Sequence, residues 1–158
     1  HWRFNAWAKY PNHRQDARVP ERIQARFPLP RSQPRHKGVR VVLEGGAIDV
    51  NGSGSLLTTE ECLLSKKQCR NPGFTREDYQ AVFSRYLGAG NVIWLGKGIV
   101  GDDTHGHVDD LARFTAPNVI ATCIETRRKD ENYALLRDSL KRLKAARDQN
   151  GKAFDIVE

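Results

Sequence analysis

The sequence has no methionine, only three cysteines and no apolar run that approaches a membrane span. A transmembrane helix needs roughly 20 consecutive apolar residues, so no membrane partner is expected. The opening stretch HWRFNAWAKY lacks the basic segment followed by an apolar one that marks a secretory signal. A chain without an initiator Met fits a fragment or a processed form. Cys62, Cys69 and Cys123 are odd in number and irregular in spacing, which argues against a disulfide framework. No CxxC pair exists, so a structural zinc site is not expected. This cysteine usage fits a reducing cytoplasm best.

Positive charge is plentiful. There are 26 Lys and Arg against 19 Asp and Glu, a formal net charge of +7. A basic chain invites a nucleic-acid reading. The excess is concentrated, however. Arg14, Arg18, Arg22, Arg26, Arg31, Arg35, Lys37 and Arg40 form one cluster, and residues 127 to 152 hold the second. Four of these arginines stand four apart, as on one helix face. No nucleic-acid-binding motif accompanies them, and aromatic residues are not interleaved with the basic run. Two solvated faces is the simpler reading. A basic nucleic-acid-binding module stays as the alternative of another class, and no nucleic-acid partner is expected.

With 158 residues, 39% of them hydrophobic, the chain is long enough for one domain with a core. WRFNAW (2–7) reads as a short aromatic strand. Residues 16–27 read as a helix with Val19, Ile23 and Phe27 on one face. A Pro-punctuated loop follows to residue 38. A regular pattern then begins. Residues 39–52 read as strand, a Gly45-Gly46 break and further strand. Residues 55–64 give a strand and its exit, and 74–88 a helix with Thr75 as N-cap, Asp78 three residues on and Gly88 at the end. Residues 91–96 read as a buried strand. The same order recurs: strands at 107–115 and 118–125, a helix capped by Asn132 with Leu136, Leu140 and Leu143 on one face, and a closing strand at 152–158.

The unit β-β-α-β has therefore appeared twice, in 39–96 and 97–158. Residues 1–38 form the tail of a preceding unit plus the Pro/Arg-rich loop. This is the pattern of a repeat architecture. A repeat does not bury its apolar faces alone, so the chain is expected to be the middle of a longer protein.

Two constellations carry chemistry. LEGG (43–46) ends an apolar strand in a carboxylate, Glu44, followed by two glycines that let backbone approach a ligand closely. A hairpin turn with a solvated Glu explains the same residues. GDDTHGHVDD (101–110) packs four acids and two histidines into ten positions. One reading is a metal site. Thr104-His105-Gly106-His107-Val108-Asp109 resembles the THxHxD start of the metallo-β-lactamase site, and two His plus Asp suit zinc. Against it, Asp110 stands where that pattern needs a further His, and His1, His13 and His36 all lie upstream. The other reading is acid/base chemistry without metal. On a strand, His107 and Asp109 would project to one face, where they could hold a planar cation and move its proton. A toroidal repeat would bring Glu44 close, so that Glu44, Asp103 and Asp109 form an acidic pocket for a guanidinium. Asp102 and Asp110 are expected to serve turns and caps.

Longer runs carry a resemblance. LEGGAIDVNGSGSLLTTEECLL, then RNPG, then VIWLGKGIVGDDTHGHVDDLARF resemble the agmatine deiminase and bacterial (Porphyromonas-type) peptidyl-arginine deiminase family, and WRFNAWAKY resembles the stretch after that family's first catalytic motif. Residues 28–38 have no match. The resemblance implies an α/β pentein-type propeller of five ββαβ modules, of which this chain covers about two and a half. It implies hydrolysis of a guanidinium through a covalent amidino-cysteine, without cofactor or metal. The substrate would be a small cationic guanidinium, agmatine first and an arginine derivative as alternative. By motif match His107 is the general acid/base, Asp109 and Asp103 clamp the guanidinium, Glu44 lies in the site's wall and Trp7 lines the substrate channel. The family's Arg-Asp-x-Gly motif and its late, Gly-flanked nucleophilic Cys have no counterpart here, and none of the three cysteines has a readable activating neighbour. The chain is therefore expected to bind substrate weakly and not to turn it over. A homo-oligomer stays open.

Overall fold

The computed structural model describes residues 1–158. Helix α1 (Val19–Arg26) follows a 3-10 turn at Asp16–Arg18, and strands β1 (Arg35–His36) and β2 (Val39–Arg40) form a small antiparallel hairpin. Then come β3 (Ile48–Val50), β4 (Ser55–Thr59), α2 (Glu60–Leu64), α3 (Arg76–Leu87) and β5 (Asn91–Leu95). The second series is β6 (Ala112–Ala116), β7 (Val119–Thr122), α4 (Tyr133–Ala145) and β8 (Asp155–Val157).

The repeat is visible in the pairing. β3 runs antiparallel to β4 and β4 parallel to β5; β6 runs antiparallel to β7 and β7 parallel to β8. In each unit a helix makes the crossover between the parallel strands, as a parallel connection requires. Each sheet has three strands, and neither closes on itself.

β4 is buried along its whole length. Its side chains alternate between two cores. Leu56 packs with Val41, Leu43, Tyr79, Val82 and Phe83. Leu57 packs with Leu95, Val108, Leu111, Ile120, Leu136 and Leu143. The first core lies under α3, and the second joins the two units, so the first sheet is covered on both faces.

Helix α3 follows its sequence closely. Thr75 and Asp78 form the capping box, with Thr75 N–H donating to Asp78 Oδ2 at 2.9 Å and Asp78 N–H to Thr75 Oγ1 at 3.3 Å. His36 and Lys37 reach the same carboxylate from the β1–β2 turn, each at 2.8 Å. Gly88 ends the helix at φ +67°, and its N–H donates to Ser84 O while Ala89 N–H donates to Phe83 O.

Four expectations are corrected. Residues 2–7 form no strand: Arg3 makes a single parallel bridge to Val42, and Ala6–Ala8 turn as a left-handed 3-10 segment. The helix expected over 16–27 is a 3-10 turn followed by α1, and its apolar residues Val19, Ile23 and Phe27 lie uncovered, 48%, 52% and 58% exposed. Asn132 does not cap α4 with its side chain; its Oδ1 accepts from Val100 N–H at 2.8 Å and ties the helix start to the preceding loop. The expected strand 107–115 starts only at Ala112, because Val108–Asp110 is a 3-10 turn.

Thr75→Ala removes one half of the capping box and is expected to destabilise the chain by about 1 kcal/mol in urea unfolding. Burial pushes the Cys62 thiol up to about 12, so little thiolate exists at neutral pH. A disulfide reagent at pH 8 is expected to label Cys69 and Cys123 in the folded chain, and Cys62 only after denaturation.

Candidate active site

The site forms where the ends of the first unit meet the loop that opens the second. Glu44 follows the buried run Val41–Leu43 and precedes the 3-10 turn Gly45–Ala47. That turn faces the second 3-10 turn, Val108–Asp110. Gly46 is what lets them meet: a Cβ there would collide with His107 Nδ1 and lie within 2.9 Å of both Asp109 carboxylate oxygens. Gly46 is thus explained by close approach, whereas a Cβ at Gly45 would meet nothing within 4 Å, and the hairpin reading of Glu44 does not hold. Glu44 is 7% exposed and its carboxylate is hydrogen-bonded inside the protein.

His107 stands between the two turns. Its Nε2 lies 3.5 Å from Glu44 Oε2 and its Nδ1 lies 3.8 Å from Asp109 Oδ1. The ring is nearly buried, and Nε2 has no hydrogen-bond partner. His107 and Asp109 therefore adjoin as expected, though by a different route. A 3-10 turn, not strand alternation, brings them together. Asp109 is the wetter of the two carboxylates and lies 4.0 Å from Arg113.

Asp102 organises the loop, which agrees with the turn role read from the sequence. Its carboxylate accepts from Thr104 N–H at 2.7 Å, Thr104 Oγ1 at 2.5 Å, Gly106 N–H at 2.8 Å and His107 N–H at 3.2 Å. Burial alone would raise its pKa, but these donors outweigh burial and lower it. Thr59 Oγ1 donates to Gly106 O at 2.5 Å and accepts from Cys62 N–H, so the same loop is fastened to the start of α2. Asp110 is not a ligand to any of this; burial and the Asp102 and Asp109 charges raise its pKa.

Asp103 and Trp7 sit farther out. Tyr10 hydroxyl donates to Asp103 Oδ2 at 2.6 Å and Lys9 Nζ lies 3.5 Å away. The Tyr10 hydrogen bond lowers the Asp103 pKa. Trp7, half-buried at φ +59°, packs edge-on against Phe4 and Tyr10. The expected acidic pocket is therefore only partly formed. Asp103 bonds to Tyr10 and Lys9, not to Glu44 or His107. Glu44 already has a cation: Arg70, with no exposed side-chain surface, donates Nε to both Glu44 oxygens at 3.2 Å. A buried charge needs a partner, and the chain itself supplies it from the RNPG stretch. Sequence reading missed Arg70 as part of the site, because the pairing spans 26 residues. A basic residue two positions before a Pro-Gly pair was the only local signal.

The two histidines of THGHVD do not converge. His105, at φ +65°, lies 3.7 Å from Glu61 and 3.2 Å from Ser65, on the far side of the loop from Glu44. The metallo-β-lactamase pattern is thus not built in three dimensions. One other group of ligand atoms exists: Glu44, Cys62 and His107, with ligand atoms within 4.8 Å of one another. Its donor set fits a cation poorly, because the Arg70 guanidinium holds the Glu44 carboxylate and Cys62 keeps its proton. Sequence spacing gave no sign that Cys62 would lie near His107.

The model of the Porphyromonas-type peptidyl-arginine deiminase family matches residues 1–158. The agmatine deiminase of Pseudomonas syringae pv. tomato is 38% identical over 160 residues, covering 98% of this chain and 42% of that protein. The solved agmatine deiminase of Enterococcus faecalis superposes with a TM-score of 0.85 at 36% identity, over 98% of this chain and 42% of that one. A Cys-to-Ser variant of the C. jejuni agmatine deiminase with substrate bound gives a TM-score of 0.82 at 34% identity, over 99% and 44%. The chain spans less than half the length of these relatives. The family match along the whole sequence, with sequence and fold agreeing in the same order, places this chain in the Porphyromonas-type peptidyl-arginine deiminase family.

Proposed function

We propose that this chain carries the proton-transfer and guanidinium-binding half of an agmatine deiminase, which hydrolyses agmatine to N-carbamoylputrescine and ammonia. The observation that supports it most is the His107 imidazole: nearly buried, set between Glu44 and Asp109, with Nε2 unpartnered. A group so placed is free to accept and return a proton. The relatives named agmatine deiminase favour that substrate over a peptidyl arginine.

In the proposed reaction a cysteine thiolate attacks the guanidinium carbon. His107 protonates the departing nitrogen, which leaves as ammonia, and an amidino-cysteine remains. His107 then takes a proton from water, the hydroxide adds to the same carbon, and the thiolate is expelled as the ureido product forms. Asp109 and Asp103 bind guanidinium nitrogens, Glu44 forms the wall beside His107, and Trp7 lines the way in. The nucleophile is assigned to none of this chain's cysteines. Cys62 lies close to His107, but its raised pKa leaves it a poor nucleophile. The Cys-to-Ser variant of the C. jejuni relative, with substrate bound, is consistent with a cysteine elsewhere doing this work.

The finer architecture belongs to the same proposal. Residues 39–96 and 97–158 are two ββαβ modules of a pentein-type α/β-propeller, and residues 1–38 close a preceding one. The repeated pairing order supports this. A metal-independent enzyme of the cytoplasm, free of nucleic-acid partners, completes the reading.

In the full-length protein, His107→Ala and Asp109→Ala are each expected to lower agmatine turnover by at least about 100-fold with an unchanged circular dichroism spectrum. Turnover close to wild type in either variant would overturn the assigned roles. A chelator is expected to leave turnover unchanged; activity lost to the chelator and restored by zinc would favour a metal-dependent hydrolase.

A further inference from the structure

Backbone strain gathers around the site. Six non-glycine residues have positive φ, and five of them are Ala6, Trp7, Ala8, Gln68 and His105. Such backbone persists only where the surrounding structure over-determines it. Two of the strained loops carry candidate substrate contacts, Trp7 in one and Asp103 beside His105 in the other.

Residues 68–70 link these loops. Gln68 Nε2 has two N–H groups, and it uses them on different loops: one goes to Trp7 O at 3.1 Å, the other to Asp103 O at 3.3 Å. Arg70 anchors the segment from below. Its Nη1 donates to Gln68 O at 3.0 Å, its Nη2 to Thr104 O, and its Nε to both oxygens of Glu44. Gln68 and Arg70 thus reach three parts of the site that are far apart in the chain: Trp7, the Asp103–Thr104 loop and Glu44. Two of the contacts are to the backbone carbonyls of Trp7 and Asp103 and not to their side chains.

We propose that Gln68–Arg70 is a strap that sets the spacing between Trp7, Asp103 and Glu44, with Gln68 as a positioning residue that itself touches no substrate. The identity of the ligand rests on the agmatine deiminase reading; the strap does not. A site held in shape before binding leaves less ordering for the ligand to offset. Loosening the strap therefore weakens substrate binding more than it slows the chemistry at His107, which Asp102 and Gly46 hold separately.

The test uses the full-length protein with Gln68→Ala, which removes both donors and adds nothing, and Arg70→Lys, which keeps a cation near Glu44 but loses the planar fork. Hydrogen–deuterium exchange is followed in peptides covering residues 5–10, 101–106 and 55–59. Gln68→Ala is expected to speed exchange in the first two together and leave β4 protected. Arg70→Lys is expected to speed exchange in 101–106. With agmatine, Gln68→Ala is expected to raise KM about fivefold, as for loss of neutral hydrogen bonds, with kcat changed less than about twofold. Unchanged exchange in both loops overturns the strap, and so does faster exchange in β4 as well, which marks a merely structural role. A fall in kcat with KM unchanged overturns the positioning role. Wild-type protein inert toward agmatine and other guanidinium compounds would instead overturn the agmatine reading, while exchange still decides the strap.

Discussion

The guanidinium of Arg70 and the carboxylate of Glu44 are both shut away from water, and everything around the site is arranged so that they stay together. Taking two charges out of water is costly, and leaving one of them alone costs about 3–5 kcal/mol. The pair is therefore held on every side. Arg70 spends its remaining donors on the carbonyls of Gln68 and Thr104. Glu44 faces His107 with the edge that Arg70 leaves open. The ion pair ties the end of the first unit's apolar run to the RNPG stretch of the same unit, and the hydrogen bond from Arg70 to Thr104 O carries that tie to the loop that opens the second.

The second constraint is steric. Gly46 leaves no side chain between the Glu44 turn and His107, and Asp102 gathers the backbone of residues 104–107 around one carboxylate. These are different kinds of restraint, one an empty volume and one a set of charge-assisted hydrogen bonds. Together they keep His107 nearly dry and leave Nε2 unsatisfied. An orphaned buried nitrogen is unfavourable for stability.

Much of this could be read from the chain beforehand. The capping box of α3 and its glycine stop depend on residues within one turn of each other, so spacing was enough. The repeat came through because hydrophobic periodicity switches in the same order twice. The pairing of His107 with Asp109 was foreseen, but on the premise of a strand. His107 is instead the N-cap of a 3-10 turn whose second residue is Asp109, so a wrong local structure still led to a correct neighbour. The aromatic opening WRFNAW failed as a strand for a nearer reason: Asn5 accepts from Ala8 N–H and bends the chain into a left-handed turn. The stripe of Val19, Ile23 and Phe27 shows the limit of periodicity, which reports an apolar face but not what lies against it.

The sequence by itself determined the local elements, the repeated unit and the residue types that carry the chemistry, because these depend on neighbours a few positions apart. Only the tertiary structure decided which of those residues meet. It separated His105 from His107 by turning the backbone at Gly106. It brought Cys62 beside His107 without making it reactive, since the same burial that places the thiol there holds its proton on. It gave Glu44 a partner in Arg70, so the acidic pocket suggested by GDDTHGHVDD and LEGG is in part already neutralised. Glu44 and Arg70 lie 26 residues apart within one unit, and Cys62 and His107 lie in different units, so only the packing of the chain brings either pair together.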